Sequence, residues 1–221
     1  MKMLSARAGR ALTGVAGGAL FTAGSCCFIA QSFAGLQWIP IYRAGCGCWV
    51  VGCMPYILLS IFAGRPEPLL RCCCSRIPLT VPVQVAGLSC YIAGCILGFL
   101  DQVVAMLPSI NILFAVGAGC QFLDAAVDTT MRYAMSRKLD VGGAAETIAG
   151  VFFCLAAGFG GYGLHTTIVR FGMTCWLIGS LVYLSLSAVE YRQAAREECA
   201  SPPRPPPAAR LLGVRTDAVG R

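Results

Sequence analysis

Charge is scarce in this chain of 221 residues: Asp, Glu, Lys and Arg make up 12% of it, and no acid precedes Glu67. That is about half the charged fraction of an ordinary soluble domain, too little to cover a water-facing surface. Histidine is limited to His165, and the 14 cysteines form no C-x-x-C pairs and no Cys/His set at zinc-ligand spacing, which removes structural zinc from consideration. A nucleophile elbow, a phosphate loop, a dinucleotide fingerprint and a catalytic triad are also missing. The glycine-rich GFGGYG at 158–163 lies within an apolar run, without the strand-to-helix context a phosphate loop needs. No enzymatic activity and no cofactor are expected.

Apolar sequence is plentiful. Hydrophobic residues make up 57% of the chain, and the mean hydropathy is +0.72. Six runs are long enough to cross about 30 Å of hydrocarbon as helices: 11–34, 46–63, 78–100, 109–128, 144–164 and 171–190. None alternates as a membrane barrel strand would, and a spanning helix satisfies its own backbone hydrogen bonds. The fold class predicted is an all-α, polytopic transmembrane bundle of six helices. A basic N-terminus covers 1–10, the membrane domain 11–190 and a disordered, Pro/Arg-rich tail 191–221.

The cations test this topology independently of hydropathy. With the N-terminus cytoplasmic, the inside segments are 1–10, 64–77, 129–143 and 191 onward, and only Arg43 and Arg170 of the 17 Lys and Arg fall outside. Such asymmetry is the positive-inside pattern and puts both termini in the cytoplasm. The net charge of +7 is thereby explained by topology and an anionic leaflet, with no nucleic-acid partner. The apolar run after MKMLSARAGRALTG has no small-x-small cleavage context and reads as an uncleaved first span. A plasma or endomembrane location is favoured over a mitochondrial or plastid one.

One phrase recurs along the spans. FTAGSCCF (Phe21, Gly24, Ser25, Phe28) and WLIGSLVY (Trp176, Gly179, Ser180, Tyr183) share an aromatic-x-x-Gly-Ser-x-x-aromatic template. WVVGCMPY (Trp49, Gly52, Tyr56), YIAGCILG (Tyr91, Gly94) and FAVGAGCQ (Gly117) vary it, and the fifth span reads Leu155-x-x-Gly158. Positions three or four apart share a helix face, so each phrase sets a ring beside a notch of small residues, a packing unit for helices in lipid. The spans pair into hairpins 11–63, 78–128 and 144–190, led by Gly24, Gly94 and Gly158. All three start on the same side, so the repeat is parallel, about an axis along the membrane normal. FTAGSCCF and WLIGSLVY resemble the YrhK-type membrane domain, a family without assigned biochemistry; the resemblance implies a multi-helix membrane domain and transfers no functional residues.

Ionisable groups within spans are the candidate chemistry, because lipid makes them costly. Gln121, Asp124 and Asp128 form one stripe of the fourth span, followed by Arg132. Read functionally, the stripe is the inner mouth of a proton or cation path whose outer mouth is Asp101 and His165. Read structurally, Asp128 pairs with Arg132 and Asp101 faces Arg170. Two functions therefore stand: a non-catalytic membrane scaffold or interaction protein, and a small transporter or channel for protons or cations. Partners expected are the lipid bilayer, other membrane helices and proteins that dock on the P-x-x-P tail; no oligomeric state is readable.

Most cysteines lie in spans, where they behave as small apolar residues. The exception is Cys72, Cys73 and Cys74 between Arg71 and Arg76, on an inside loop beside the membrane, a setting suited to S-palmitoylation. Intact-mass measurement is expected to find a hydroxylamine-sensitive increment that disappears when all three are changed to Ser; no increment in the unmutated protein refutes acylation.

Overall fold

Long apolar runs in lipid must close their backbone hydrogen bonds internally, and the described residues do so as six helices. The computed structural model describes residues 6–34, 38–62, 80–138, 140–160 and 167–200. The helices are α1 Ala6–Gln31, α2 Trp38–Phe62, α3 Thr80–Leu97, α4 Val103–Ser136, α5 Val141–Gly160 and α6 Thr167–Ala200. Five are long and apolar enough to cross a membrane; α3, with 18 residues, is apolar but shorter, about 27 Å at 1.5 Å per residue. Large apolar side chains face outward on every helix, among them Leu12, Leu58, Ile96, Ile112, Val151 and Leu181. That girdle fits contact with lipid tails and makes this an integral membrane protein.

Several boundaries differ from the sequence reading. Helix α2 begins at Trp38, so Arg43 lies inside it, its long side chain reaching the polar end while the stem stays apolar. Helix α4 begins before Pro108, whose ring lies in the opening turns and removes only a bond near the helix end. Helix α6 continues through YRQAAREECA to Ala200, ten residues rich in strong helix formers, so the tail reading for 191–200 is corrected.

Each helix packs on its sequence neighbours, and α6 packs on α1, closing a six-membered ring. Inside each hairpin an aromatic ring fills a glycine notch of the partner helix, and in the first two hairpins the exchange is reciprocal. Along α1, Phe28, Gly24, Phe21 and Gly17 meet Gly45, Trp49, Gly52 and Tyr56 of α2 in antiparallel order, ring against glycine each time. Between α3 and α4, Tyr91 fills the notch at Gly117 and Phe114 the notch at Gly94. Between α5 and α6, Phe153 fills the notch at Gly179.

The fifth phrase must therefore be re-registered. Leu155 is exposed and a Cβ at Gly158 would meet open space, whereas Phe153 and Ala156 are buried. The repeat in α5 is Phe153-x-x-Ala156, with alanine as the small residue. All six helices then carry aromatic-x-x-small-small, and the last position (Ser25, Cys53, Cys95, Ala118, Ala157, Ser180) is buried throughout.

In α1 and α6 these last positions face each other across the seam between hairpins. Ser25 Oγ lies 3.0 Å from Ser180 Oγ, joining the two Gly-Ser phrases where the ring closes. Ser180 donates its one proton to the Trp176 carbonyl at 2.8 Å, so Ser25 is the donor between the two hydroxyls. Gly18 against Leu184 and Gly14 against Ser187 extend the same α1–α6 contact.

A Cβ at Gly179 would sit 2.5 Å from Phe153 Cε1. Gly179→Val is expected to destabilise the detergent-solubilised protein by about 1–3 kcal/mol, the usual cost of overpacking, read as a lower thermal midpoint. Gly158→Ala, with open space around it, is expected to leave the midpoint unchanged or raise it.

Candidate functional site

Helix direction decides where the central rings point. The Cα–Cβ bond tilts toward a helix's own N-terminus. Helices α1, α3 and α5 start at the end of the bundle where the chain begins, so Phe21, Tyr91 and Phe153 lean back toward it. Phe114 and Trp176, on helices running the other way, lean toward the opposite end. The chain-start end carries Arg10, Arg132, Arg137, Lys138, Arg192 and Arg196, whereas the far end has Arg43 and Arg170. It is the basic end.

A cavity of about 470 Å³ enters from the basic end and stops at the rings of Phe21, Trp49, Tyr91 and Phe153. Its upper wall follows from the repeat. Two helical turns from each central aromatic toward the basic end, on the same face, stand Gly14, Tyr56, Gln84, Gln121, Glu146 and Tyr183, and all six line the cavity. Arg10 and Glu190, both exposed, stand nearer the mouth.

The wall is organised by hydrogen bonds between helices. Tyr56 donates to the Gly14 carbonyl at 2.9 Å, and Ser60 donates to Gln84 Oε1 at 2.7 Å. Tyr183 donates to Gln121 Oε1 at 3.4 Å, a long bond from α6 to α4. Tyr91 is 2% exposed, and its hydroxyl oxygen is buried without a hydrogen-bond partner among the described residues.

The acidic stripe of α4 is divided by the fold. Gln121 reaches the cavity, while Asp124 and Asp128 are buried and do not line it. Asp128 accepts from Arg132 at 2.9 Å, and Arg132 also reaches Asp140 at 3.3 Å. Asp140 in turn caps α5: its carboxylate accepts from Gly142 N at 3.1 Å and its carbonyl from Ala144 N at 2.9 Å. The turn into this bridge is held by Arg137, left-handed at φ 56°, whose amide donates to the Tyr133 carbonyl.

At the far end, the expected facing of Asp101 and Arg170 is corrected. Asp101 is fully exposed and meets Arg43 at 3.4 Å, and Arg43 also donates to the Leu100 carbonyl at 3.0 Å. Arg170 instead lies over the Phe33 ring at 4.1 Å, a cation–π contact. Arg43 is the nearer cation because α2 begins early enough to carry it. His165 and Cys72, Cys73 and Cys74 lie outside the described residues.

The fold thus gathers Phe21, Trp49, Tyr56, Tyr91, Tyr183 and Gln121 around one cavity and leaves Asp101, Asp124 and Asp128 off it. Sequence reading missed Gln84, Phe153 and Glu190 as residues of this cavity. The two-turn offset from each central aromatic would have found Gln84 and Glu146.

Asp140→Ala removes a helix cap and one arm of the Arg132 bridge together. It is expected to cost about 1–2 kcal/mol, typical of losing a cap, measured as a lower thermal midpoint, with Asp101→Ala at the exposed Arg43 pair close to neutral. No protein-family model matches the chain, and no curated protein and no solved structure is similar to it.

Proposed function

We propose that this chain is a non-catalytic, non-conducting membrane interaction protein, a multi-helix domain of the kind its YrhK-type resemblance implies. The observation that carries the reading is the aromatic layer across the middle of the ring. Trp49 and Trp176 meet edge to face at 4.8 Å, Trp49 and Tyr91 at 5.2 Å and Phe114 and Trp176 at 5.9 Å, and Phe153 lies tilted against Trp176 at 5.1 Å. Rings in mutual contact leave no room for a file of water, and protons and cations need one or a chain of titratable groups. By the positive-inside pattern the basic end and its cavity face the cytoplasm.

A second reading is favoured by the cavity itself. A vestibule that enters from one side and stops at the midplane is what a transporter presents when open to that side. Against it stands the placement of Asp124 and Asp128, off the cavity, with Asp128 already bridged to Arg132.

Flux separates the two. Purified protein in liposomes carrying a pH or potassium gradient is expected to leak no faster than empty liposomes. Flux above that background, abolished by Asp124→Asn while expression stays intact, would establish transport through the fourth helix.

A further inference from the structure

We propose that the first two hairpins each hold one thiophilic metal ion in a line between two cysteine sulfurs, Cys27 with Cys48 and Cys90 with Cys120. The ion belongs to the closed-shell, two-coordinate class of Cu(I) and Hg(II). The inference rests on the hairpins and stands whether or not the bundle conducts.

The pairs are written twice in the sequence. Phe21-x-x-Gly24-Ser25-x-Cys27 on α1 is matched by Phe114-x-x-Gly117-Ala118-x-Cys120 on α4. Likewise Gly45-x-x-Cys48-Trp49 on α2 is matched by Gly87-x-x-Cys90-Tyr91 on α3. The fold sets a phrase of the first kind against one of the second in each hairpin. A Cβ at Gly45 would stand 3.1 Å from Cys27 Cβ, and one at Gly87 would stand 2.8 Å from Cys120 Cβ. Cys48 and Cys90 follow those glycines by one turn on the same helix face. Cys27 and Cys48 are close enough to interact electrostatically, and so are Cys90 and Cys120.

The two hairpins use the phrases in opposite order, so the sites fall on opposite sides of the aromatic layer. Cys27 lies six residues beyond Phe21 toward the far end, about 9 Å along the helix, and Cys120 lies equally far beyond Phe114 toward the basic end. The third hairpin is a built-in control. It carries Gly172-x-x-Cys175-Trp176 on α6, but Phe159 stands six residues after Phe153 on α5, where the facing cysteine would be.

Chemistry then selects the ion. Sulfur ligands favour soft metals over the hard ions that carboxylates hold. All four cysteines are partly exposed and none lines the cavity, so the pairs open onto lipid, which supplies no further ligand. Zinc completes four ligands, and the described residues hold no group of even three able to surround an ion. A disulfide asks for Cβ atoms about 3.8 Å apart. Two metal–sulfur bonds of about 2.3 Å hold the sulfurs about 4.6 Å apart, which suits cysteines offset by a turn. Hg(II) with two thiolates, or Cu(I) with one thiolate and one thiol, leaves the site uncharged, as hydrocarbon demands. When the ion arrives as a glutathione complex, its bonds to glutathione sulfur break and bonds to the cysteines form. Each cysteine that becomes a thiolate gives its proton to a departing glutathione thiolate, and nothing is oxidised or reduced.

Native mass spectrometry counts the ions. The parent is the full-length chain in nanodiscs with Cys72, Cys73 and Cys74 changed to Ser, loaded in turn with Cu(I) and Hg(II) from their glutathione complexes. Cys27→Ser, Cys48→Ser and the double variant are each expected to retain one ion fewer than the parent, with unchanged elution volume. The same is expected of Cys90→Ser, Cys120→Ser and their double variant, and changing all four should remove two ions. Loss of the same single ion from either side is the signature of a shared site. Loss with one metal alone identifies the resident ion, and loss with both shows that the site takes the whole class. A full count in the four-fold variant with both metals, or a double variant of one pair that loses two ions, would overturn the proposal. Should a serine variant fail to fold, the corresponding alanine variant is counted instead. X-ray absorption of the loaded parent, expected to show two sulfurs per ion, decides alone if neither folds; three or four sulfurs would refute the linear site.

Discussion

Helices in a bilayer gain nothing by hiding hydrocarbon from hydrocarbon, so a bundle is held by how closely its backbones can approach and how completely the gaps are filled. In this chain that constraint is met by exchange. In the first two hairpins each central ring enters a notch on the neighbouring helix, and the helix supplying the notch returns a ring of its own, as Trp49 does at Gly24 and Phe21 at Gly52. The glycines are fixed by this contact rather than by backbone angles: the space where a Cβ would stand is already occupied by a ring. Helix spacing, the inward direction of the aromatics and the narrow centre of the ring all depend on it.

Two kinds of contact divide the labour. Ring-in-notch pairs hold the two helices of a hairpin, and small residues beside the notches allow close approach at the seam where the ring closes. At the α1–α6 seam this is the Ser25–Ser180 pair, where a hydroxyl bond closes the ring between residues 155 positions apart. Net bonds of this sort are weak in membranes, about 0.6 kcal/mol on average, so the seam relies on close approach and the serines add direction. Charged groups are kept to the ends. Asp128, Arg132 and Asp140 tie α4 to the start of α5, and Arg43 draws in the α3–α4 turn at Leu100 and Asp101.

The interior is asymmetric about the aromatic layer. Toward the far end, Phe28 and Tyr42 meet at 5.5 Å, Phe28 reaches Phe114 at 6.5 Å, and Gly98 is closed over by Tyr42 and Cys46. Toward the basic end, the positions two turns from the rings are Gly14, Gln84, Gln121 and Glu146, small or polar side chains that do not fill the same space, with Tyr56 and Tyr183 held to the wall by their hydrogen bonds. The outer half is packed and the inner half is hollow. A cavity walled in amide, hydroxyl and carboxylate above an aromatic floor is the consequence.

The six helices, their membrane character and their pairing into three hairpins were written in local composition, because span length and hydrophobicity are properties of contiguous residues. The notch phrases of α1, α2, α3, α4 and α6 were legible for the same reason: a ring and a glycine three apart share a face wherever the helix is placed. Helix α5 was misread at Gly158 because alanine can serve as the small residue of the phrase equally well, and only the burial of Ala156 and the open space at Gly158 tell them apart. Which side chains pair with which belonged to the tertiary structure. Asp101 meets Arg43 rather than Arg170, the α4 acids Asp124 and Asp128 are buried off the cavity, and residues from all six helices converge on one cavity. Sequence spacing fixes which side chains share a helix face, but which face turns inward is set by the neighbours that fill it.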